Sequence, residues 1–180
     1  MSSVGLIRIM VLLSAAALGL GTFLSPHLAA LATGDNVALP RTAIAALVMA
    51  EAVKLASAMV GWRLAKVIPT RPRFLAYGLR IAAVLLGLAG LAGLAGIALS
   101  NAGATLAVQA LALLALLFTA AWGAGAGAAR EKASLRAILI ALSVLTACLA
   151  VTAPVWMPAG ILAGVAQTLF WASLARAEAA

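Results

Sequence analysis

Residues 76–99 read AYGLRIAAVLLGLAGLAGLAGIAL. Arg80, near the start, is the only charged residue in the stretch. As a helix the run is roughly 36 Å long at 1.5 Å per residue. A bilayer's hydrocarbon core is about 30 Å thick. Within lipid a lone segment must satisfy its own backbone hydrogen bonds, so this run is a transmembrane helix. Gly87, Gly90, Gly93 and Gly96 recur at every third position. Three residues turn about 300°, so the glycine stripe winds slowly around the helix. Ala89–Gly93 and Ala92–Gly96 form small-xxx-small pairs, which let helix backbones approach closely in lipid. The stripe fits close packing within the chain, a solvent-lined helix, or contact with a second copy.

Five further apolar runs resemble this one. They lie at residues 6–25, 42–63, 104–124, 135–152 and 157–175. The expected fold is therefore all-α: one polytopic transmembrane helix bundle of about six helices over residues 1–180, with five spans kept as the alternative. Composition agrees, with 66% apolar and 9% charged residues and a mean hydropathy of +1.20. Soluble domains carry about 25% charged residues. Between the runs lie breakers. Ser25-Pro26 ends or kinks the first run, and Thr33-Gly34-Asp35-Asn36 forms a polar turn. Pro40 precedes the second helix, Pro69 and Pro72 bracket the second loop, and Ser100-Asn101-Ala102-Gly103 is a tight connection. Pro154 and Pro158 mark the last one. Gly123-Ala124-Gly125-Ala126-Gly127 follows no strand, so it reads as a frayed helix end rather than a phosphate cradle. The N-terminal stretch, with Arg8 before apolar residues, imitates a signal peptide but fits a retained first helix.

The net charge of +8 would suggest nucleic acid in a soluble protein. In a bilayer it instead marks the cytoplasmic loops. Arg8, Arg63, Lys66, Arg71, Arg73, Arg80, Arg130, Lys132, Arg136 and Arg176 fall on one side of a six-span chain. Of the 12 basic residues only Arg41 and Lys54 fall elsewhere. Both termini are thus expected in the cytoplasm, in a bacterial inner membrane, with lipid as the surroundings and no nucleic-acid partner.

Few groups remain for chemistry. His27 is the single histidine, and at the end of an apolar run after Pro26 it reads as interfacial. Cys148 is the single cysteine, inside an apolar run, and reads as a small core residue. The four acids are Asp35, Glu51, Glu131 and Glu178. A disulfide, a thiolate or bis-histidine metal site and a two-metal carboxylate site would each need more than this. No cofactor is expected, and no enzymatic activity.

The informative constellation is Glu51-Ala52-Val53-Lys54. Glu51 falls near mid-span, where a charge costs about 3 kcal/mol or more on insertion scales. Lys54, three residues on, shares its face and can pair with it. The pair either neutralises itself or lines a polar cavity that meets a substrate or proton. Ser57, Ala58 and Gly61 continue a small-residue face. Gln109 and Gln167 are the other mid-span polar candidates, with Asn101 and Thr105 near the outer end of helix four.

Thr42-Ala43 followed by Ala50-Glu51-Ala52-Val53-Lys54-Leu55 resembles the second helix of nucleotide-sugar transporters, in the drug/metabolite transporter superfamily. That family carries a Glu-x-x-Lys there. Ala98-Leu99-Ser100-Asn101-Ala102 with Ala104-Thr105, and then Arg130-Glu131-Lys132-Ala133-Ser134, resemble two of its loops. The resemblance covers about residues 40–152. It departs in length, since the family usually has ten helices in two inverted repeats, and in a lysine often carried in helix four, which falls on Leu113 here or is absent. It implies a single-repeat transporter that needs a second copy, with Glu51 and Lys54 as site residues.

The expected function is transport of a small polar metabolite or drug-like molecule by an oligomer. The alternative is a non-catalytic accessory or structural subunit of a larger membrane complex. A lipid-acting enzyme would need a nucleophile or metal site that these residues do not assemble.

Overall fold

The structure, a computed structural model, describes residues 2–32, 40–99, 103–153 and 157–179. The turn at Thr33–Asn36, the connection around Asn101, Pro154 and the side chain of Thr105 lie outside the described residues. Among the described residues there are six α-helices and no strand: α1 Ser3–Ala32, α2 Arg41–Val67, α3 Ala76–Leu99, α4 Gly103–Ala128, α5 Ala133–Thr152 and α6 Met157–Ala179. A short 3-10 turn, Arg73–Leu75, leads into α3. All six helices are long and apolar enough to cross a membrane.

Two breakers do not end their helices. Pro26 neither ends nor bounds the first helix, which continues through it to Ala32. A proline removes one helical hydrogen bond, here to the Thr22 carbonyl, and transmembrane helices tolerate that loss. The glycines after Trp122 do not fray. α4 continues to Ala128, and Gly123, Gly125 and Gly127 are buried in it. They are glycines because neighbours press on them. A Cβ on Gly123 would lie 2.6 Å from Ser143 Oγ of α5 and 3.0 Å from the Phe170 ring of α6. One on Gly125 would lie 2.9 Å from Leu75, and one on Gly127 would lie 3.0 Å from Leu139. Arg71 N–H reinforces the contact by donating to the Gly125 carbonyl at 2.9 Å. By contrast, α2 is bounded as its sequence suggests. The Pro40 carbonyl accepts the Ala43 and Ile44 N–H groups at its start, and Ile68 turns extended at its end, ahead of Pro69.

The helices form a closed ring in chain order. Each packs against its sequence neighbours, and α6 closes onto α1. The ring has two unlike halves. One end holds the basic loops and both chain ends, and there large side chains from every helix fill the centre. Ile7, Leu64, Leu79, Trp122, Leu139, Trp171 and Leu174 are essentially inaccessible and form one cluster with Met10 and Phe170. Trp122 and Trp171 stack at 5.5 Å, and the Phe170 ring stands edge-on to both. The opposite half is lined mainly by small residues, with a lesser apolar cluster of Leu24, Ala43 and Ala46 joining α1 to α2. Outside the ring, Leu12, Met49, Met59, Leu91, Val144, Val151 and Leu169 are exposed. Such a belt would be a liability in water, and lipid solvates it. Cys148 belongs to this belt. It is exposed on α5 rather than in the core, because it falls on the Val144, Leu145 and Val151 face, opposite the buried Leu139, Ser143, Thr146 and Ala150.

Candidate functional site

The α2–α3 hairpin explains the glycine stripe. Going from the basic end outward, Gly61 faces Leu79 and Ala83, Gly87 faces Ala58, and Gly90 faces Leu55. A Cβ on Gly90 would come within 2.9 Å of Leu55 and 3.2 Å of the Glu51 carbonyl oxygen. The next glycine meets the charge itself, since a Cβ on Gly93 would fall on the Glu51 carboxylate. Close packing within the chain therefore accounts for Gly90 and Gly93, while a Cβ on Gly87 would meet Ala58 at an ordinary 3.7 Å. It also does more than bring backbones together, because Gly93 makes the space that Glu51 fills.

Glu51 is 5% exposed and is the one buried acidic side chain among the described residues. Lys54 Nζ donates to both of its carboxylate oxygens, at 2.7 and 2.8 Å. The (i, i+3) spacing places the two on adjacent parts of one face, and the bidentate contact neutralises the carboxylate where lipid could not solvate it. The buried hydroxyls of α5 are satisfied within their own helix. Ser143 Oγ donates to the Leu139 carbonyl and Thr146 Oγ1 to the Leu142 carbonyl, each at 2.8 Å.

The partners of the pair differ in access. Lys54 keeps 24% of its side chain accessible against 7% for Glu51. At 100° per residue, Lys54 lies within about 40° of Ala43, Ala58, Gly61 and Ala65 on the α2 wheel. All four are buried, so Lys54 sits on the face turned into the ring, not on the membrane face with Met49, Val48 and Met59.

The two glutamines part company. Gln167 is half-buried on α6, on the same line as the buried Trp171 and Leu174, and so faces the ring interior above the tryptophan cluster. Gln109 is exposed on α4. Its helix packs between α3 and α5, away from α2, and the structure does not bring it to the pair. His27 is half-exposed and meets Phe23 edge-on at 5.7 Å. The sequence reading missed Gly93 as a member of the site. The signal was present in the triplet repeat, but nothing in the repeat says which glycine faces the acid.

Fold and site together define a polytopic α-helical integral membrane protein with an ion pair set inside a closed helix ring. No family model, no curated protein and no solved structure matches the chain.

Proposed function

We propose that the chain is a small transporter for a polar solute, with Glu51 and Lys54 at its substrate site. The observation that carries this reading is the asymmetric access of the pair. A purely structural ion pair is best hidden on both sides, since exposure to competing groups weakens it. Here Glu51 is hidden and Lys54 is turned toward the ring interior with part of its surface accessible. Intramembrane ionisable residues mark substrate and ion pathways by default.

The reading takes up the resemblance of the Glu51–Lys54 segment to nucleotide-sugar transporters. It places the basic end in the cytoplasm of a bacterial inner membrane by the positive-inside rule. It also makes the working unit an oligomer, because a single repeat supplies half of a transporter's usual pathway. Solute-driven flux into proteoliposomes tests it. The wild-type chain transports, and the Glu51→Gln, Lys54→Gln double variant, folded and inserted to the same extent, does not. Equal flux from both would remove the pair from the transport site.

A further inference from the structure

From Ala52 to Arg130 the chain has no acidic residue. Five of the seven basic residues in that stretch, Arg63, Lys66, Arg71, Arg73 and Arg80, belong to the end of the α2–α3 hairpin. The other basic loop is different. There Arg130 pairs with Glu178, and Glu131 stands beside Lys132. No ion pair among the described residues includes a cation of the hairpin end.

Two of these cations lie on the outer seam between the helices. Gly61 faces Leu79 and Ala83, and Gly87 faces Ala58. This antiparallel register sets Trp62 level with Arg80, and Lys66 level with Tyr77. By 100° steps, Trp62 and Lys66 fall on the flank of α2 between Ala58 and Met59. Arg80 falls on the flank of α3 between Gly87 and Val84, with Tyr77 just beyond. Met59, Trp62, Tyr77 and Val84 are all exposed, so both flanks belong to the membrane face. The Lys66 ammonium stands 6.0 Å from the Trp62 ring centroid, and the Arg80 guanidinium 5.7 Å from that of Tyr77. Lys66 thus turns toward a residue one turn deeper, and Arg80 toward one nearer the basic end, so the two charges converge in depth. Arg80 Nε is covered and has no hydrogen-bond partner among the described residues.

We infer that this seam binds an anionic phospholipid, its phosphate held between Lys66 and Arg80 and its chains laid along the exposed apolar residues above them. The charge is complementary, since two cations without acidic partners face one phosphodiester. Arg80 supplies a planar fork for two phosphate oxygens, and Lys66 a compact point charge. Trp62 and Tyr77 are the amphipathic rings that suit headgroup depth. Met59, Val84 and Leu91 continue the face into the bilayer. A zwitterionic lipid carries its own cation, which these two side chains repel. A free phosphate would leave the rings and the apolar face unused. The site lies outside the ring and is independent of the transport reading.

Trp62 is a built-in reporter. The chain is reconstituted in phosphatidylcholine vesicles in a Trp156→Phe background, where Trp62 is exposed and Trp122 and Trp171 are buried. Quenching by phosphatidylglycerol with dibrominated chains is compared with quenching by dibrominated phosphatidylcholine. Each cation near an anionic headgroup contributes about fivefold in affinity, so Trp62 selects the anionic lipid by roughly 25-fold. Lys66→Gln and Arg80→Gln each remove about fivefold of this, and the double variant removes the selection. Arg80→Lys keeps most of it. Should Arg80→Gln fail to insert, Lys66→Gln on the exposed last turn of α2 carries the test alone. Lys132→Gln, at the start of α5, leaves the selection unchanged. An equal loss from Lys132→Gln would reveal a general surface potential and overturn the site. Equal quenching by the two lipids, or a preference that survives the double variant, would overturn it as well. Sodium phosphate at constant ionic strength leaves the quenching unchanged, and displacement of the lipid by it would assign the cations to a soluble anion instead.

Discussion

Gly93 and Glu51 are one feature at the scale of single residues. Adding a methyl group at Gly93 places it on the carboxylate, so Gly93→Ala must push Glu51 off its bidentate contact with Lys54. Overpacking costs typically about 1–3 kcal/mol, and weakening a buried pair adds to it. Gly87→Ala is the matched control, since its Cβ would sit at an ordinary 3.7 Å from Ala58. Unfolding in mixed micelles should show Gly93→Ala destabilised and Gly87→Ala near wild type. Shortening the acid should relieve the clash, so Glu51→Ala combined with Gly93→Ala is expected to cost less than the sum of the single changes. Strict additivity would mean the two do not touch. The pair itself gives a second prediction at this scale. Lys54→Gln leaves Glu51 buried without its counter-charge, a loss of roughly 3 kcal/mol. The Glu51→Gln, Lys54→Gln double variant should be the more stable of the two. If Lys54→Gln alone is neutral, water rather than lysine compensates Glu51.

Helices were the most legible scale in the sequence, and for a physical reason. An apolar run of some 20 residues has one stable form in lipid, so α3 could be read from Ala76 to Leu99 directly. What could not be read was decided by neighbours. The glycines at 123, 125 and 127 look like a weak helix end in isolation. They are a helix because α5, α6 and the segment before α3 converge on them. Cys148 looks like core by composition, and its place on the α5 wheel puts it in lipid. Glu51 and Lys54 stand out because charge is rare in a membrane, whereas Gln109 and Gln167 are alike in sequence and differ only in which way their helices turn. The α4–α6 contact carries a prediction of its own. Trp171 is fully buried between Trp122 and Phe170. Trp171→Ala should cost about 3 kcal/mol, the low end for aromatic truncation, because the unfolded helices rest in lipid rather than water. Trp171→Phe should recover most of it. Loss of the Trp122–Trp171 exciton signal in near-UV circular dichroism without loss of stability would show that the stack does not hold these helices together.

A closed ring with its large side chains gathered at one end is an oriented object, and its charges orient it too. α1, α3 and α5 begin at the basic end, while α2, α4 and α6 finish there. The loops between them hold Arg71, Arg73, Arg130 and Lys132. Arg130 also reaches the last helix, where its guanidinium pairs with Glu178 at 2.5 Å, tying the α4–α5 loop to α6. Both side chains are largely covered, and Glu178 belongs to the helix that closes the ring. Losing the bond should loosen α6 locally rather than unfold the bundle, since partly exposed pairs contribute about 1 kcal/mol or less. Hydrogen exchange tests this directly. Glu178→Gln should raise exchange in residues 172–179 and leave residues 76–99 unchanged, and a uniform rise along all helices would show that the ring opens as one unit. The same asymmetry predicts which way the ring lies in the membrane. Lys and Arg near helix ends are retained on the cytoplasmic side, so the tryptophan plug is expected there. Impermeant thiol reagents added to intact cells should label a cysteine placed at Asn101, and should reach a cysteine at Lys132 only after the membrane is broken. The reverse pattern would put the tryptophan plug on the outer side and overturn the orientation read from the basic loops.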